Sequence, residues 1–290
     1  MRYKLERLGC YILIIVLLPY IVTMFLNGPV ITTSAKVEEL TINVKNDSIS
    51  MKDYGIGLLA CEIPVNYEIE AIKAQAIMIR TKIYKSLHEE GSETIFTEEF
   101  WRKSEMEDAW GFAKYQTYYK KLEQAWQETE GQVLMCEEEL IYTPFFRLSN
   151  GSTRDGEEVL GKEYPYLKIK DCPLDIEETE QLQTITLGED TSIEVKELDT
   201  AGYVLKVRVG EEEVNGEEFR KNYNLPSSCF SVHEYEGKIR ITTRGVGHGI
   251  GLSQNTANKM AEDGKLAKDI LAYFFEGCEL REVTDIVIQK

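Results

Sequence analysis

The first contrast along the chain is between an uncharged apolar run and everything after it. Leu8 to Leu26 carries no charged residue, and at about 1.5 Å per residue it is just long enough to cross the hydrocarbon core of a bilayer. Arg2, Lys4 and Arg7 precede it, and cations of that kind favour the cytoplasmic side, which sends the rest of the chain outside the cytoplasmic membrane. Thr33-Ser34-Ala35 also offers a small-residue cleavage site, so a cleavable signal peptide is the competing reading. The apolar run is longer than the usual h-region of about 7–15 residues, which favours a retained anchor, and Pro19 can kink a span without preventing it. The expected organisation is a cytoplasmic tail, single-pass anchor and spacer over 1–35, followed by one extracytoplasmic domain over 36–290.

Downstream the apolar spacing shortens and alternates with polar positions. Leu40, Ile42 and Val44 alternate as in a strand, and Ser50 can cap a helix over about 51–61. After the Pro64 turn, Asn66 is the expected cap of a helix whose Ile69, Ile72, Ala76, Ile79 and Ile83 form its buried stripe. Glu70, Lys73, Gln75 and Arg80 lie off that stripe, as on a solvated face. A second helix is expected over Met106–Trp126, with Met106, Ala109, Trp110 and Ala113 on one side. Val133–Met135, Leu140–Tyr142 and Phe145–Phe146 then read as strands, and the polar run Ser149–Glu158 as a loop. Further strands lie within Thr184–Val209 and Phe230–Thr243, with a turn at Val214–Gly216 and a short helix over Gly216–Tyr223. The final strand enters a turn of alternating glycines, Arg244–Gln254, after which Ser253 can cap a helix ended by Gly264. The whole predicts an α+β fold of mixed strands and helices.

At 290 residues with 43% hydrophobic content, the chain can bury a sizeable core. Its formal charge of −17 excludes a nucleic-acid partner, which requires a basic footprint against phosphates. Six cysteines, at 10, 61, 136, 172, 229 and 278, are too irregularly spaced for a disulfide framework, and the three histidines, at 88, 233 and 248, are scattered. The glycine turn matches neither a phosphate loop nor a dinucleotide fingerprint.

Two segments carry candidate chemistry. Glycines at 245, 247, 249 and 251 allow close backbone approach to a ligand while His248 projects from the turn. Glu62 sits among Cys61, Ile63 and Pro64, where desolvation would favour the neutral acid. The bland alternatives are a structural histidine in a glycine-rich turn, and a glutamate paired with Lys73 or Arg80.

Cys61-Glu62-Ile63-Pro64 with Glu70-Ala71-Ile72-Lys73-Ala74-Gln75-Ala76, the loop Ser149-Asn150-Gly151-Ser152-Thr153, and Gly245-Val246-Gly247-His248-Gly249-Ile250-Gly251-Leu252-Ser253-Gln254 occur in that order. Together they resemble the stage II sporulation protein D family of peptidoglycan lytic transglycosylases. Tyr164–Leu167, Leu225–Phe230 and Ile270–Gly277 extend the likeness over roughly 37–283. The resemblance implies a glycan-binding cleft with Glu62 as the catalytic acid and base, and Glu70 as the second choice. It implies that Glu62 protonates the bridge oxygen between N-acetylmuramic acid and N-acetylglucosamine, then takes the proton of the muramic 6-hydroxyl as a 1,6-anhydro ring closes. It also makes Lys73, Gln75 and Arg80 supports of the cleft, Ser149, Asn150 and Thr153 glycan contacts from the middle loop, and His248 and Gln254 the opposite wall. Asn150 replaces a glycine-like position of the family's loop, and Phe146 stands where many relatives carry histidine; Cys136 thus lacks a partner, which implies no metal, and no cofactor is expected. The resemblance further implies action in sporulation engulfment beside a cell-wall amidase and a polytopic membrane protein. The alternative is a non-catalytic glycan-binding amidase enhancer, favoured by the altered loop.

Overall fold

The computed structural model describes residues 40–45, 47–187 and 192–285. The expected anchor at Leu8–Leu26 and the rest of the 1–35 segment lie outside them, and among the described residues no helix is long and apolar enough to cross a membrane. Every element below belongs to the unit Thr41–Lys290, and the architecture is mixed α+β, as expected.

Strands β1 (Thr41–Val44) and β2 (Asp47–Ser50) form an antiparallel hairpin. It leads directly into α1 (Met51–Glu62), whose first turn is capped by Ser50 Oγ accepting from the Asp53 N–H at 3.0 Å. Buried side chains surround most of α1, including Met51, Tyr54, Ile56, Leu58 and Leu59, so the helix is interior and not amphipathic. Helix α2 (Ile69–Glu90) does not start from Asn66. Tyr67 N–H donates to Pro64 O at 3.0 Å, which uses Asn66 inside a tight turn. The distant Asn258 side chain accepts the Glu68 N–H instead, at 2.7 Å.

Helix α2 is the central element because it has two apolar faces. Ile72, Ala76, Ile79, Ile83 and Leu87 pack with α1 in one core. Ala71, Ala74, Ile77 and Met78 pack in a second core with Leu134, Ile250, Leu252, Ile270 and Phe274. Only the first face was apparent as a stripe, and Gln75 and Arg80, expected on a solvated side, are buried.

Strand β3 (Ile95–Phe96) joins β1 in parallel. The helix expected over Met106–Trp126 is two, α3 (Lys103–Trp110) and α4 (Phe112–Glu128), because Gly111 adopts φ 73° and ends one while starting the other. Strand β4 (Gln132–Cys136) pairs with β5 (Glu139–Leu140), and β6 (Phe145–Phe146) precedes the polar loop. That loop is irregular as far as Asp155, whose carboxylate caps a single-turn helix, α5 (Gly156–Val159). A 3₁₀ turn over Pro173–Glu177 follows.

Two three-stranded antiparallel sheets come next. Strands β7 (Leu182–Leu187), β8 (Ile193–Leu198), β9 (Val204–Val209) and β10 (Glu212–Asn215) are joined through α6 (Gly216–Asn222) to β11 (Phe230–Tyr235) and β12 (Lys238–Arg244). The sheet orders are β10-β9-β8 and β11-β12-β7, and Val204, Val207, Phe219, Phe230 and Ile241 make a third core there. After the glycine turn, β13 (Leu252–Ser253) lies parallel to β6, so the turn's end is fixed beside the segment that opens the middle loop. Helix α7 (Gln254–Glu262) is capped by Ser253 as its sequence suggests, α8 (Ala267–Phe274) follows, and β14 (Glu279–Glu282) returns to pair with β4.

Glycines 245, 247, 249 and 251 all have positive φ. Their close approaches are to the protein's own chain, not to an open cleft: a Cβ on Gly249 would fall 2.5 Å from the Tyr203 ring, and one on Gly251 would fall 2.1 Å from Pro144 O. Gly251→Ala is therefore expected to destabilise the protein by about 2–4 kcal/mol, from left-handed backbone strain plus a clash with main chain. Gly264→Ala, at φ +82° with nothing within 4 Å, should cost only about 1 kcal/mol. Equilibrium unfolding of the two variants checks the contrast; equal losses would refute it.

Candidate active site

Glu62 is the last residue of α1, immediately before the Pro64 turn. Among the described residues it has no salt-bridge partner, and its Oε2 is buried without a hydrogen bond. The alternative of pairing with Lys73 or Arg80 does not occur, because both cations are used elsewhere. Desolvation pushes the Glu62 carboxyl up to about 7; the Lys82 charge opposes this, the Glu98 charge adds to it, and the Gln75 amide opposes it. Glu98 is itself held down, with Lys82 at 2.8 Å on one oxygen and Tyr54 Oη donating at 2.7 Å to the other.

Gln75 is fully buried on α2, and among the described residues its Nε2 also finds no hydrogen-bond partner. Gln254, at the start of α7, joins the pieces: its Nε2 donates to Glu62 O at 2.9 Å and approaches Gln75 Oε1 at 3.5 Å. Thus Glu62, Gln75 and Gln254, drawn from α1, α2 and α7, meet at one place.

The other candidates are tied into the framework. Lys73 bridges Glu70 at 2.7 Å and Glu128 at 2.5 Å. Arg80 lies 4.1 Å over the Trp126 ring and donates to Trp126 O at 2.9 Å and Thr129 O at 2.6 Å, closing the C-terminal end of α4 with a cation. Burial lowers its pKa to about 10, which leaves it charged at neutral pH. Glu70 accepts from Lys73 and from the Ala267 N–H at 2.9 Å, at the N-terminus of α8. In the middle loop, Ser149 Oγ accepts from Gly151 N–H at 3.1 Å, Asn150 Nδ2 donates to Ala201 O at 2.8 Å, and Thr153 Oγ1 donates to Lys168 O at 3.0 Å.

His248 is tucked against the Phe146 ring at 5.8 Å, and its Nδ1 accepts the Ile250 N–H at 3.1 Å. Desolvation lowers its pKa to about 4, so the ring is neutral near pH 7. Beneath it runs a network that sequence reasoning missed. Arg154 is fully buried, pairs with Asp199 at 2.5 Å and Glu217 at 3.1 Å, and donates to His248 O at 3.2 Å. Asp175 is also fully buried. It accepts from Ser149 N–H at 2.8 Å, Ser253 Oγ at 2.7 Å, Asn255 Nδ2 at 3.0 Å and Thr256 Oγ1 at 2.8 Å. Neither residue lies in a periodic pattern, and nothing in their spacing marks them.

Residues 41–136, from β1 through β4, match the sequence model of the stage II sporulation protein family. Over 266 residues the chain is 32% identical to stage II sporulation protein D of Bacillus amyloliquefaciens, covering 83% of this chain and 77% of the relative. The chain belongs to the stage II sporulation protein D family. The Bacillus subtilis protein of the same name is 30% identical with the same coverage. An uncharacterised protein of Brachyspira hyodysenteriae is 26% identical, covering 83% of this chain and 68% of that one. Within the family-matched segment lie Glu62, Lys73, Gln75 and Arg80, whereas the middle loop, His248 and Gln254 lie beyond it.

The buried Glu62 couples stability to pH. Its folded pKa is raised, so the protonated state favoured by folding is fully present below about pH 4.5 and is lost as pH rises through about 7. The ionised residue then carries a penalty on the order of 3 kcal/mol. Glu62→Gln should match the wild type in melting temperature near pH 4 and exceed it near pH 8; a difference that does not grow with pH would remove the desolvated-acid assignment. Asp175→Ala, which strands four donors, should cost at least about 3 kcal/mol in denaturant unfolding.

Proposed function

We propose that the protein is a lytic transglycosylase that cleaves peptidoglycan glycan strands during engulfment, held by a single-pass anchor with its catalytic domain outside the cell membrane. The observation that carries this reading is Glu62: a carboxyl raised by burial to about 7, with a buried oxygen that finds no hydrogen bond and no salt bridge among the described residues. Such a group is available both as an acid and as a base near neutral pH.

The neutral carboxyl donates its proton to the glycosidic oxygen as the bond to the muramic anomeric carbon breaks, and the N-acetylglucosamine end leaves as an alcohol. The resulting carboxylate accepts the proton of the muramic 6-hydroxyl, whose oxygen closes onto the anomeric carbon. Glu62 thereby regains its proton, and no water is consumed. A hydrolase would need a second free carboxylate to activate water. Glu98, the neighbouring acid, has both oxygens occupied by Lys82 and Tyr54, which supports ring closure over hydrolysis. Gln75 and Gln254 orient Glu62 and offer amide groups to the sugar. A cell-wall amidase that exposes the glycan, and a polytopic membrane partner, complete this reading.

Turnover of peptide-free glycan strands by the full-length protein tests it. The wild type should yield 1,6-anhydromuramic ends, with kcat/KM falling above about pH 7 as the acid ionises. Glu62→Gln should lose about 10²–10⁴-fold in rate, whereas Glu70→Gln, altered in a framework contact, should retain most activity. Loss in Glu70→Gln with an active Glu62→Gln would reassign the acid. Absence of anhydro product from the folded wild type would replace the enzyme with the glycan-binding amidase enhancer.

A further inference from the structure

Away from Glu62, the pairing of β4 with β14 sets two cysteines side by side. Glu279 lies opposite Met135 and Leu280 opposite Leu134 in this antiparallel pair; the same register, carried one residue further, puts Cys278 opposite Cys136. Cys136 Sγ is 3.9 Å from Gly277 O, the carbonyl of the residue next to Cys278. Opposed residues of antiparallel strands have Cα atoms about 4.5–5.5 Å apart, within the span of about 4.4–6.8 Å that a disulfide bridges. Both cysteines are free and partly exposed, whereas Cys172 and Cys229 are buried. Cys136 also borders an open surface recess with Tyr142, Tyr164 and Tyr166, which admits a small oxidant.

We propose that Cys136 and Cys278 are a dithiol–disulfide pair that covalently fastens the C-terminal strand to β4 when the protein meets a disulfide-bearing oxidant. One cysteine thiolate attacks the oxidant's disulfide, forming a mixed disulfide and releasing one thiol. The second cysteine thiolate then displaces the oxidant's remaining sulfur. The protein gives up two electrons and two protons, and the oxidant becomes two thiols. Burial and the neighbouring Cys136 thiol raise the Cys278 pKa.

The bond would act on the frame of the candidate site. Strand β4 is tied to α2 by Leu134 N–H donating to Thr81 Oγ1 at 2.9 Å and by Arg80 donating to Gln132 O at 3.4 Å. Strand β14 is short and largely exposed, and a cross-link there closes most of the length of the domain into one loop, constraining the unfolded chain. An oxidising compartment is required, so in the cell the bond rests on the extracytoplasmic placement proposed above.

The test uses purified full-length protein equilibrated in glutathione redox buffers, quenched with an alkylating agent, digested and weighed. The expected result is a linked pair of peptides containing Cys136 and Cys278, formed with the loss of two alkylatable thiols. The oxidised protein should melt about 5–10 °C higher than the reduced one, with Cys278→Ser lacking that increment. Alkylation of both cysteines under all buffers, or separate glutathione adducts on each, would overturn the proposal while leaving the Glu62 reading intact. Acid-quenched cells provide the second arm: linkage in cells supports the proposal, whereas free thiols there, with linkage in the purified protein, would overturn it as a property of the cell and count against extracytoplasmic placement alone.

Discussion

The arrangement hangs on one buried carboxylate. Seated in its 3₁₀ turn, Asp175 draws donors from two other parts of the chain: Ser149 at the head of the middle loop, and Ser253, Asn255 and Thr256 at the start of α7. A charge removed from water this completely is tolerable only when every lone pair is answered, and hydrogen bonds to an ionised acceptor are the stronger kind. The positive end of the α7 backbone adds to the same balance. With α7 fixed in this way, Gln254 is carried to the Glu62 backbone, and the end of α1 acquires a definite position relative to α2.

A second ionic knot works on the other side of the glycine turn. Arg154 binds Asp199 and Glu217 and holds the His248 carbonyl, while its own N–H donates to Gly249 O at 2.8 Å. The turn is therefore clamped through its backbone, and its single imidazole is left neutral against Phe146. Removing one member of such a buried pair strands the other charge, so these residues matter through the placement they enforce more than through the net energy they contribute.

Much of the framework was legible in the sequence because it follows from local rules: the Ser50 and Ser253 caps, the strand alternation around Ile42, and the stripe of Ile72, Ile79 and Ile83. The desolvation of Glu62 was legible from its apolar neighbours. What failed were features decided by distant partners. Asn66 lost its capping role to Pro64 and Asn258, Gly111 divided a helix whose apolar spacing continued across it, and Gln75 and Arg80 were buried by distant partners, Gln254 over the one and Trp126 with Thr129 over the other. Arg80 was a plausible cleft residue by motif, yet its fork satisfies carbonyls at the end of α4. Asp175 and Arg154 were invisible for the same reason, since a buried charge is identified by its partners and these lie 45 to 94 positions away from Arg154.

The double-faced character of α2 bears on the order in which the chain can be built. The helix is complete by residue 90, but Ile250, Leu252, Ile270 and Phe274 cover its second face, and β4 acquires β14 only after residue 279. A polypeptide emerging amino-end first, whether from a ribosome or across a membrane, must leave Ala71, Ala74, Ile77 and Met78 only partly covered, by residues such as Leu134 and Ile141, until nearly all of it has appeared. Contacts of such long sequence separation form late. The two halves are consequently not interchangeable modules, and shortening the chain from its carboxyl end would strip the interior of its amino-terminal half.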